Sequence, residues 1–153
     1  MATMDVERWF FDTNVLIYVT DSTAPLHQTA VTLLLETHQR GIVRTISTQI
    51  LREFYGFATR TGEQGQNFDR MRAARALKNI AEFRTLFAVV EDNDNVSLRL
   101  FDLVQRIDIG GRQIHDANLV ATMLHYGLTH LVTNNPNHFQ RFTSLITVVP
   151  LVT

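Results

Sequence analysis

Short apolar runs alternate along this chain with longer segments of helical period, and this alternation restricts the possible folds more than any other feature. The short runs are β-branched or aromatic and end at polar residues, as buried strands do. They predict strands at Trp9–Phe11, Ile42–Ile46, Leu86–Val90, His130–Thr133 and Leu145–Val149. The longer segments predict helices at Pro25–Gln39, Thr48–Thr59, Phe68–Phe83, Val96–Arg106 and Ala117–Tyr126.

Strands that alternate with helices predict an α/β fold built from βαβ units. We expect a three-layer α/β/α arrangement, with a mainly parallel central sheet of four to five strands covered on both faces. The 153 residues fit one domain over residues 1–153, and no linker interrupts them. Ser47 and Asp94 are predicted helix N-caps, and Gly127 is a predicted C-terminal cap.

Composition excludes several classes of protein. The chain has no cysteine, which rules out disulfide scaffolds and thiolate zinc sites. It has no apolar run near the roughly 18 residues that cross a membrane, and its N-terminal segment lacks the layout of a signal peptide. We therefore expect a cytoplasmic protein without a membrane partner. The formal net charge of −1 gives no overall attraction to nucleic acid.

Three acidic residues follow strands or open helices of the predicted sheet. Asp12 comes directly after the first strand, and Asp116 stands in the first turn of a helix, on the same face as buried positions. Glu53 lies at the shoulder of an apolar helix face; a capping-box partner of Ser47 would instead stand at Ile50. Because ligands of parallel sheets gather outside the carboxyl ends of the strands, we expect these acids to lie together.

A cluster of carboxylates at one sheet edge has a chemical consequence. Like charges raise one another's pKa, and a hard divalent cation such as Mg²⁺ or Mn²⁺ relieves their repulsion. Such an ion activates a bound water and stabilises charge on a phosphodiester. The acids therefore predict metal-dependent hydrolysis, with Asp12, Glu53 and Asp116 as both metal ligands and catalytic residues.

The order and separation of these residues resemble the PIN-domain family, and most of all its VapC-type toxins. The resemblance spans nearly the whole chain and rests on four segments: Phe11-Asp12-Thr13-Asn14, Ser47 with Glu53-Phe54, His115-Asp116-Ala117, and Leu131-Val132-Thr133-Asn134-Asn135. It implies a bacterial, cytoplasmic endoribonuclease that depends on Mg²⁺ or Mn²⁺. It also implies a cognate antitoxin that blocks the site, an RNA substrate and a homodimer.

Residue by residue, the resemblance assigns roles to the matched positions. Asp12, Glu53 and Asp116 match the three metal-holding acids of the family. Asn14 and Ser47 match polar residues that support the first and second acids. Thr133 matches a small hydroxyl residue that closes the fourth strand.

The chain departs from the family pattern in the loop after Thr133. Many relatives carry a fourth acid there, whereas the candidates here are Asn135, Asn137 and His138. An amide oxygen at Asn135 can ligate a metal or orient its water, but it cannot act as a base. We therefore predict an attenuated site, with weaker metal binding than in a four-acid site or with one metal ion rather than two. His115 and His138 are predicted substrate contacts because they flank it.

Two other hypotheses compete with the nuclease. In one, Asp12 is phosphorylated, as in receiver or phosphatase folds. Receivers need a lysine beyond a late strand, and the only lysine, Lys78, falls within a predicted helix; haloacid-type phosphatases need Asp-x-Asp, whereas Asn14 stands at the second position. In the other, the missing fourth acid marks a decayed site, and the protein is a module that binds RNA or a protein without cleavage.

Overall fold

The strands of the computed structural model are short and all parallel. The structure describes residues 5–60 and 73–153. The strands are β1 (Arg8–Phe11), β2 (Val43–Ser47), β3 (Ala88–Val90), β4 (His130–Thr133) and β5 (Thr147–Pro150). They form one five-stranded sheet in the order β3-β2-β1-β4-β5, with every neighbouring pair parallel. The predicted parallel sheet is therefore confirmed.

Helices connect the strands. They are α1 (Thr13–Thr20), α2 (His27–Gln39), α3 (Thr48–Thr59), α4 (Ala73–Leu86), α5 (Asp94–Arg106), α6 (Gln113–Tyr126) and a 3₁₀ helix (Pro136–Phe142). Connections between parallel strands are right-handed, so the steps from β1 to β2 to β3 put α1–α4 on one face. The return from β3 to β4 puts α5 and α6 on the other, where α6 packs against the 3₁₀ helix. This layering confirms the predicted α/β/α fold.

The direction of strand addition reverses at the centre of the sheet. The chain adds β2 and then β3 on one side of β1, and then returns to add β4 and β5 on the other. The carboxyl ends of β1 and β4 thus flank a topological switch point, the usual ligand site of open α/β sheets. Asp12 and Thr133 stand at these two ends.

The core lies on both faces of the central strands. Phe10 and Phe11 of β1 are fully buried although their side chains point to opposite faces, as expected for a sheet covered on both sides. Phe54 of α3 packs edge-on against Phe83 of α4 on one side. Phe139 of the 3₁₀ helix is fully buried as well. Apolar packing therefore holds the ends of β1 and β4 in a fixed relation.

The helix ends test the predicted caps. The Ser47 hydroxyl accepts a hydrogen bond from the Ile50 N–H at 3.3 Å, so it caps α3 as predicted. Gly127 ends α6 in the left-handed conformation with φ of 69°, which also confirms the prediction. The Asp94 cap is wrong. Asn93 caps α5 through its side chain, and Asp94 is the first helical residue.

Several element boundaries also differ from the predictions. The sequence predicts neither α1 nor the 3₁₀ helix; α1 is only 8 residues long, and its polar start, Thr13-Asn14, is as typical of turns as of helix starts. α6 begins at Gln113, four residues before the predicted start. Of the helix predicted from Phe68, the first five positions lie outside the described residues. Within the described ranges, no helix has the length and apolar character needed to span a membrane.

Candidate functional site

Asp12 is a buried carboxylate at the end of β1. Its backbone N–H donates to the Val132 carbonyl at 2.9 Å, which continues the pairing of β1 with β4. Its side chain caps α1, because Oδ1 accepts from the Thr13 N–H at 2.7 Å. Only 8% of the residue is exposed. The strand and the helix together therefore set the position of this carboxylate.

Thr133 and Asn14 hold the second oxygen of the same carboxylate. The Thr133 hydroxyl donates to Asp12 Oδ2 at 2.8 Å, and the Asn14 amide approaches that oxygen at 3.3 Å. The side-chain Oδ1 of Asn14 in turn accepts from the Asn134 backbone N–H at 3.1 Å. Of the three residues predicted to support the site, Thr133 and Asn14 thus contact Asp12 directly. Their bonds prevent rotation of the carboxylate.

Glu53 lies across from Asp12 on α3. Its Oε2 accepts a hydrogen bond from the Thr13 hydroxyl at 2.8 Å, and its Oε1 accepts from the Gln49 amide at 2.9 Å. Thr13 also donates its N–H to Asp12, so one residue joins the two acids. Glu53 is half-buried, as expected from its position on the edge of the apolar face of α3.

Gln49 is a site residue that the sequence analysis missed. It is 94% buried, and its amide donates both to Glu53 and to the His115 carbonyl at 3.1 Å. The Asn118 amide donates to Gln49 Oε1 at 2.7 Å and also lies 3.2 Å from Asp92 Oδ1. Gln49 therefore ties α3 to α6. The signal for it was the i, i+4 spacing from Glu53, which places an amide beside a carboxylate on a helix.

Asp116 lies on the first turn of α6 and is half-buried. His138 Nδ1 of the 3₁₀ helix lies 3.6 Å from Asp116 Oδ2. Burial raises the pKa of Asp116, and the charge of Glu53 raises it further, while His138, His115 and Arg141 oppose this shift. His138 therefore faces an acid of the site, as predicted for a residue that flanks it.

The three acids act on one another electrostatically. Burial raises the pKa of Asp12 from the ordinary value of 3.8 to about 6, although hydrogen bonds from Thr133 and Thr13 oppose the shift. The negative charges of Glu53 and Asp116 raise this pKa further. Carboxylates from three distant parts of the chain therefore share one electrostatic environment at the carboxyl edge of the sheet.

Three other predicted site residues, Ser47, Asn135 and His115, make no side-chain hydrogen bond to the acids among the contacts described above. Ser47 is fully buried, and its hydroxyl caps α3, the helix that carries Glu53. Asn135 is exposed and donates its backbone N–H to the Thr133 hydroxyl at 3.0 Å. The exposed His115 contributes its carbonyl to Gln49 and borders an open cavity on the Glu53 side. Lys78 lies within α4, as the sequence predicted.

The acids of the site keep free acceptor positions that a divalent cation could use. A carboxylate offers about four acceptor positions; the contacts above use three on Asp12 and two on Glu53. Hard, anionic oxygens thus keep capacity for Mg²⁺ or Mn²⁺. Across residues 5–60 and 73–153, however, no three His, Asp or Glu side chains are grouped to hold one ion. The chemistry of the acids fits such a cation, with fewer than three of them as direct ligands in this arrangement.

Comparison with known proteins agrees with this fold. A model of the PIN domain family matches residues 9–145. No curated protein matches the chain significantly.

Several solved structures share the fold at low sequence identity. VapBC2 from Rickettsia felis, bound to a DNA fragment from its promoter, is 14% identical with a TM-score of 0.66, and the match covers 94% of this chain and 98% of that one. VapC20 from Mycobacterium tuberculosis, described as a sarcin–ricin loop cleaving toxin, is 17% identical with a TM-score of 0.64, covering 91% and 96%. VapBC-1 from nontypeable Haemophilus influenzae is 17% identical with a TM-score of 0.65, covering 95% and 99%.

Proposed function

This chain belongs to the PIN domain family, and from that premise we propose that it is a metal-dependent endoribonuclease that hydrolyses RNA phosphodiester bonds. We propose further that it is the toxin of a toxin–antitoxin pair. The similar structures include a sarcin–ricin loop cleaving toxin and VapBC complexes, which supports both parts of the proposal.

One observation carries the proposal: a buried aspartate at the switch point is coupled to two further acids. A buried, unpaired negative charge is costly, and here Glu53 and Asp116 add to that cost and raise the pKa of Asp12. A protein that needed only a stable fold would gain by placing an amide at this position. The retained acid is best explained by a cation that offsets the repulsion.

In the proposed reaction each residue has a stated task. Asp12 and Asp116 would hold the Mg²⁺ or Mn²⁺, with Glu53 as the third acid; proteins often bind Mg²⁺ through one or two carboxylates and leave its other positions to water. The bound ion would supply a water of lowered pKa and neutralise charge on the phosphodiester.

The surrounding residues act on the carboxylates and on the proton. Thr13, Thr133 and Asn14 keep Asp12 in one orientation, and Gln49 does the same for Glu53. Because Glu53 keeps acceptor capacity beyond its two hydrogen bonds, we propose it as the group that receives a proton from the attacking water.

Two histidines and one asparagine near the acids are candidates for binding the substrate and for replacing the missing fourth acid. His115 and His138 are exposed, and both act electrostatically on Asp116, so we propose them as contacts to RNA. We propose Asn135 as the residue that takes the place of the family's fourth acid. Its amide would orient water without adding charge, so metal binding would be weaker than in a four-acid site.

The partners follow from the same premise. We propose a cognate antitoxin that covers the site, as similar structures are toxin–antitoxin complexes. We also propose a cytoplasmic location. We propose further that the protein is a homodimer, and sedimentation or light scattering of the purified protein tests this oligomeric state directly.

A second function is favoured by a specific observation. The described residues hold no group of three acids or histidines fit to bind one ion, and an amide stands at position 135. Both features are those of a decayed nuclease that binds RNA or protein without cutting. A phosphorylated Asp12 has less support, since only 8% of this residue is exposed.

The deciding experiment is cleavage of total cellular RNA by purified protein with Mg²⁺, Mn²⁺ or EDTA. We expect discrete, metal-dependent cuts that are lost in Asp12→Asn and Asp116→Asn, with the circular dichroism spectrum unchanged. Asp102→Asn is the matched control, because Asp102 is exposed and pairs with Arg106 on its own helix, α5. Full activity in either site variant would contradict the assignment. No cleavage by folded, antitoxin-free wild-type protein would favour the binding module.

A further inference from the structure

An open cavity of about 480 Å³ adjoins the acidic site on the side of α3. It lies between α3, α5 and α6, and Glu53 forms part of both the acidic site and the cavity wall. Its other walls are formed by Gln49, Arg52, Asp92, Leu100, Ile114, His115 and Asn118. A group bound in the cavity would therefore lie next to a group bound at the acidic site.

We propose that this cavity binds a nucleobase of single-stranded RNA next to the bond that is cut. The inference rests on the proposed function, since it places the neighbouring nucleotide of the same substrate. The group covalently closest to a phosphodiester in RNA is a nucleoside, and sequence-specific proteins bind the unstacked bases of single-stranded RNA in such pockets.

The charges of the cavity favour a base over a phosphate. Two carboxylates, Glu53 and Asp92, line it against one guanidinium, that of Arg52, which lies 3.1 Å from Asp92. This excess of negative charge repels a phosphate. The Asp92 and Asn118 side-chain oxygens instead suit the amino groups that bases present on their edges.

The walls also match the shape of a base. Leu100 and Ile114 supply an apolar surface on α5 and α6, and the exposed imidazole of His115 lies at the rim. The Arg52 side chain is 64% exposed and ends in a planar guanidinium, which stacks on bases. Of its five N–H donors, the bond to Asp92 uses one.

The network behind the cavity holds these walls in place. Asn118 lies within hydrogen-bond distance of both Gln49 and Asp92, and Gln49 binds Glu53. Helices α3 and α6 and the segment that leads from β3 into α5 are thus linked by buried or half-buried polar groups. The cavity is consequently preformed, which reduces the entropic cost of binding.

The test is binding of fluorescent hexaribonucleotides of A, C, G or U, and of an abasic hexamer of equal charge, measured by anisotropy in EDTA. We expect wild-type protein to bind at least one base-bearing hexamer about tenfold more tightly than the abasic one. In Arg52→Ala this preference should disappear. Arg106→Ala is the matched control, because Arg106 is a similarly exposed, ion-paired arginine outside the cavity.

Each other outcome overturns the proposal. If Arg52→Ala weakens binding of the abasic and base-bearing hexamers equally, Arg52 contacts phosphate. If Arg52→Ala keeps the preference, the base binds elsewhere. If wild-type protein binds every hexamer equally, the cavity does not bind a base, and a protein segment becomes the better candidate ligand. Binding in EDTA requires no cleavage, so these results stand apart from the total-RNA assay that tests the proposed nuclease.

Discussion

The burial of Asp12 predicts how the stability of the metal-free protein depends on pH. Its pKa is raised from 3.8 to about 6, so the folded chain binds the proton more tightly than the unfolded chain does. The stabilisation by this proton is complete below the unfolded pKa and is lost as the pH rises through about 6. The pKa of Asp12 differs by about two between the folded and the unfolded chain, and each pKa unit corresponds to about 1.4 kcal/mol, so the free energy of unfolding changes by about 3 kcal/mol in total.

Asp12→Asn removes this titration and keeps the shape of the side chain. The amide also alters the hydrogen bonds with Thr133 and Asn14, but that cost does not depend on pH. We expect the stability of the variant relative to wild type to rise by about 2.5 kcal/mol between about pH 4 and about pH 7.5, since the lower pH lies just above the unfolded pKa and a little of the effect is already lost there.

Urea unfolding of both proteins across this range, in EDTA, measures the difference. Curves that run parallel, with a constant difference in the free energy of unfolding, would refute the reasoning. Adding Mg²⁺ at about pH 7.5 should then stabilise wild type by RT ln(1 + c/Kd), where c is the Mg²⁺ concentration, a stabilisation that grows with the logarithm of c above Kd, and leave Asp12→Asn unchanged. Equal stabilisation of both proteins would show that Asp12 does not hold the ion.

Three further predictions concern positioning, metal affinity and the backbone. Gln49→Leu removes a donor from Glu53, and we expect cleavage to slow on the order of ten- to a hundredfold, in single-turnover assays, with the fold retained. Asn135→Asp places an acid after β4 and should lower the Mg²⁺ concentration needed for half-maximal cleavage. An unchanged Mg²⁺ concentration would show that residue 135 takes no part in metal binding. Gly127→Ala should lower the free energy of unfolding by about 1 kcal/mol, because φ is 69° at this residue. Gly56→Ala should raise it by up to about 1 kcal/mol, because Gly56 lies within α3 and has open space around it. The urea midpoints of the two variants should therefore shift in opposite directions.

The sequence was most informative where one physical pattern dominates. Strands β1 and β4 and helix α3 were predicted almost residue for residue, because their apolar periods and polar ends are distinct. The start of α1 was missed because Asp12, Thr13 and Asn14 are typical of turns as well as of helix caps. For the same reason, Asp94 was predicted as a cap where Asn93 has that role.

The candidate site divides in a similar way. Asp12 and Asp116 follow from their places at a strand end and a helix start, which are properties of the local sequence. Gln49 and Asn118 were missed because their importance arises from contacts with partners more than 60 residues away, at 3.1 Å and 2.7 Å. The i, i+4 spacing from Glu53 is a local signal for one contact of Gln49, but local patterns contain no signal for contacts between residues so far apart in the sequence.

By itself, the sequence determined the fold class, the alternation of the five strands with the longer helices, and the acids that follow strands or open helices, because apolar period and strand-end chemistry are local properties. Only the tertiary structure decided which acid is buried, since that depends on how β1, β4 and α1 close around Asp12. It also decided that Thr13 joins Asp12 to Glu53, and that a cavity opens beside them. These features depend on distances between elements, which packing of the whole chain sets.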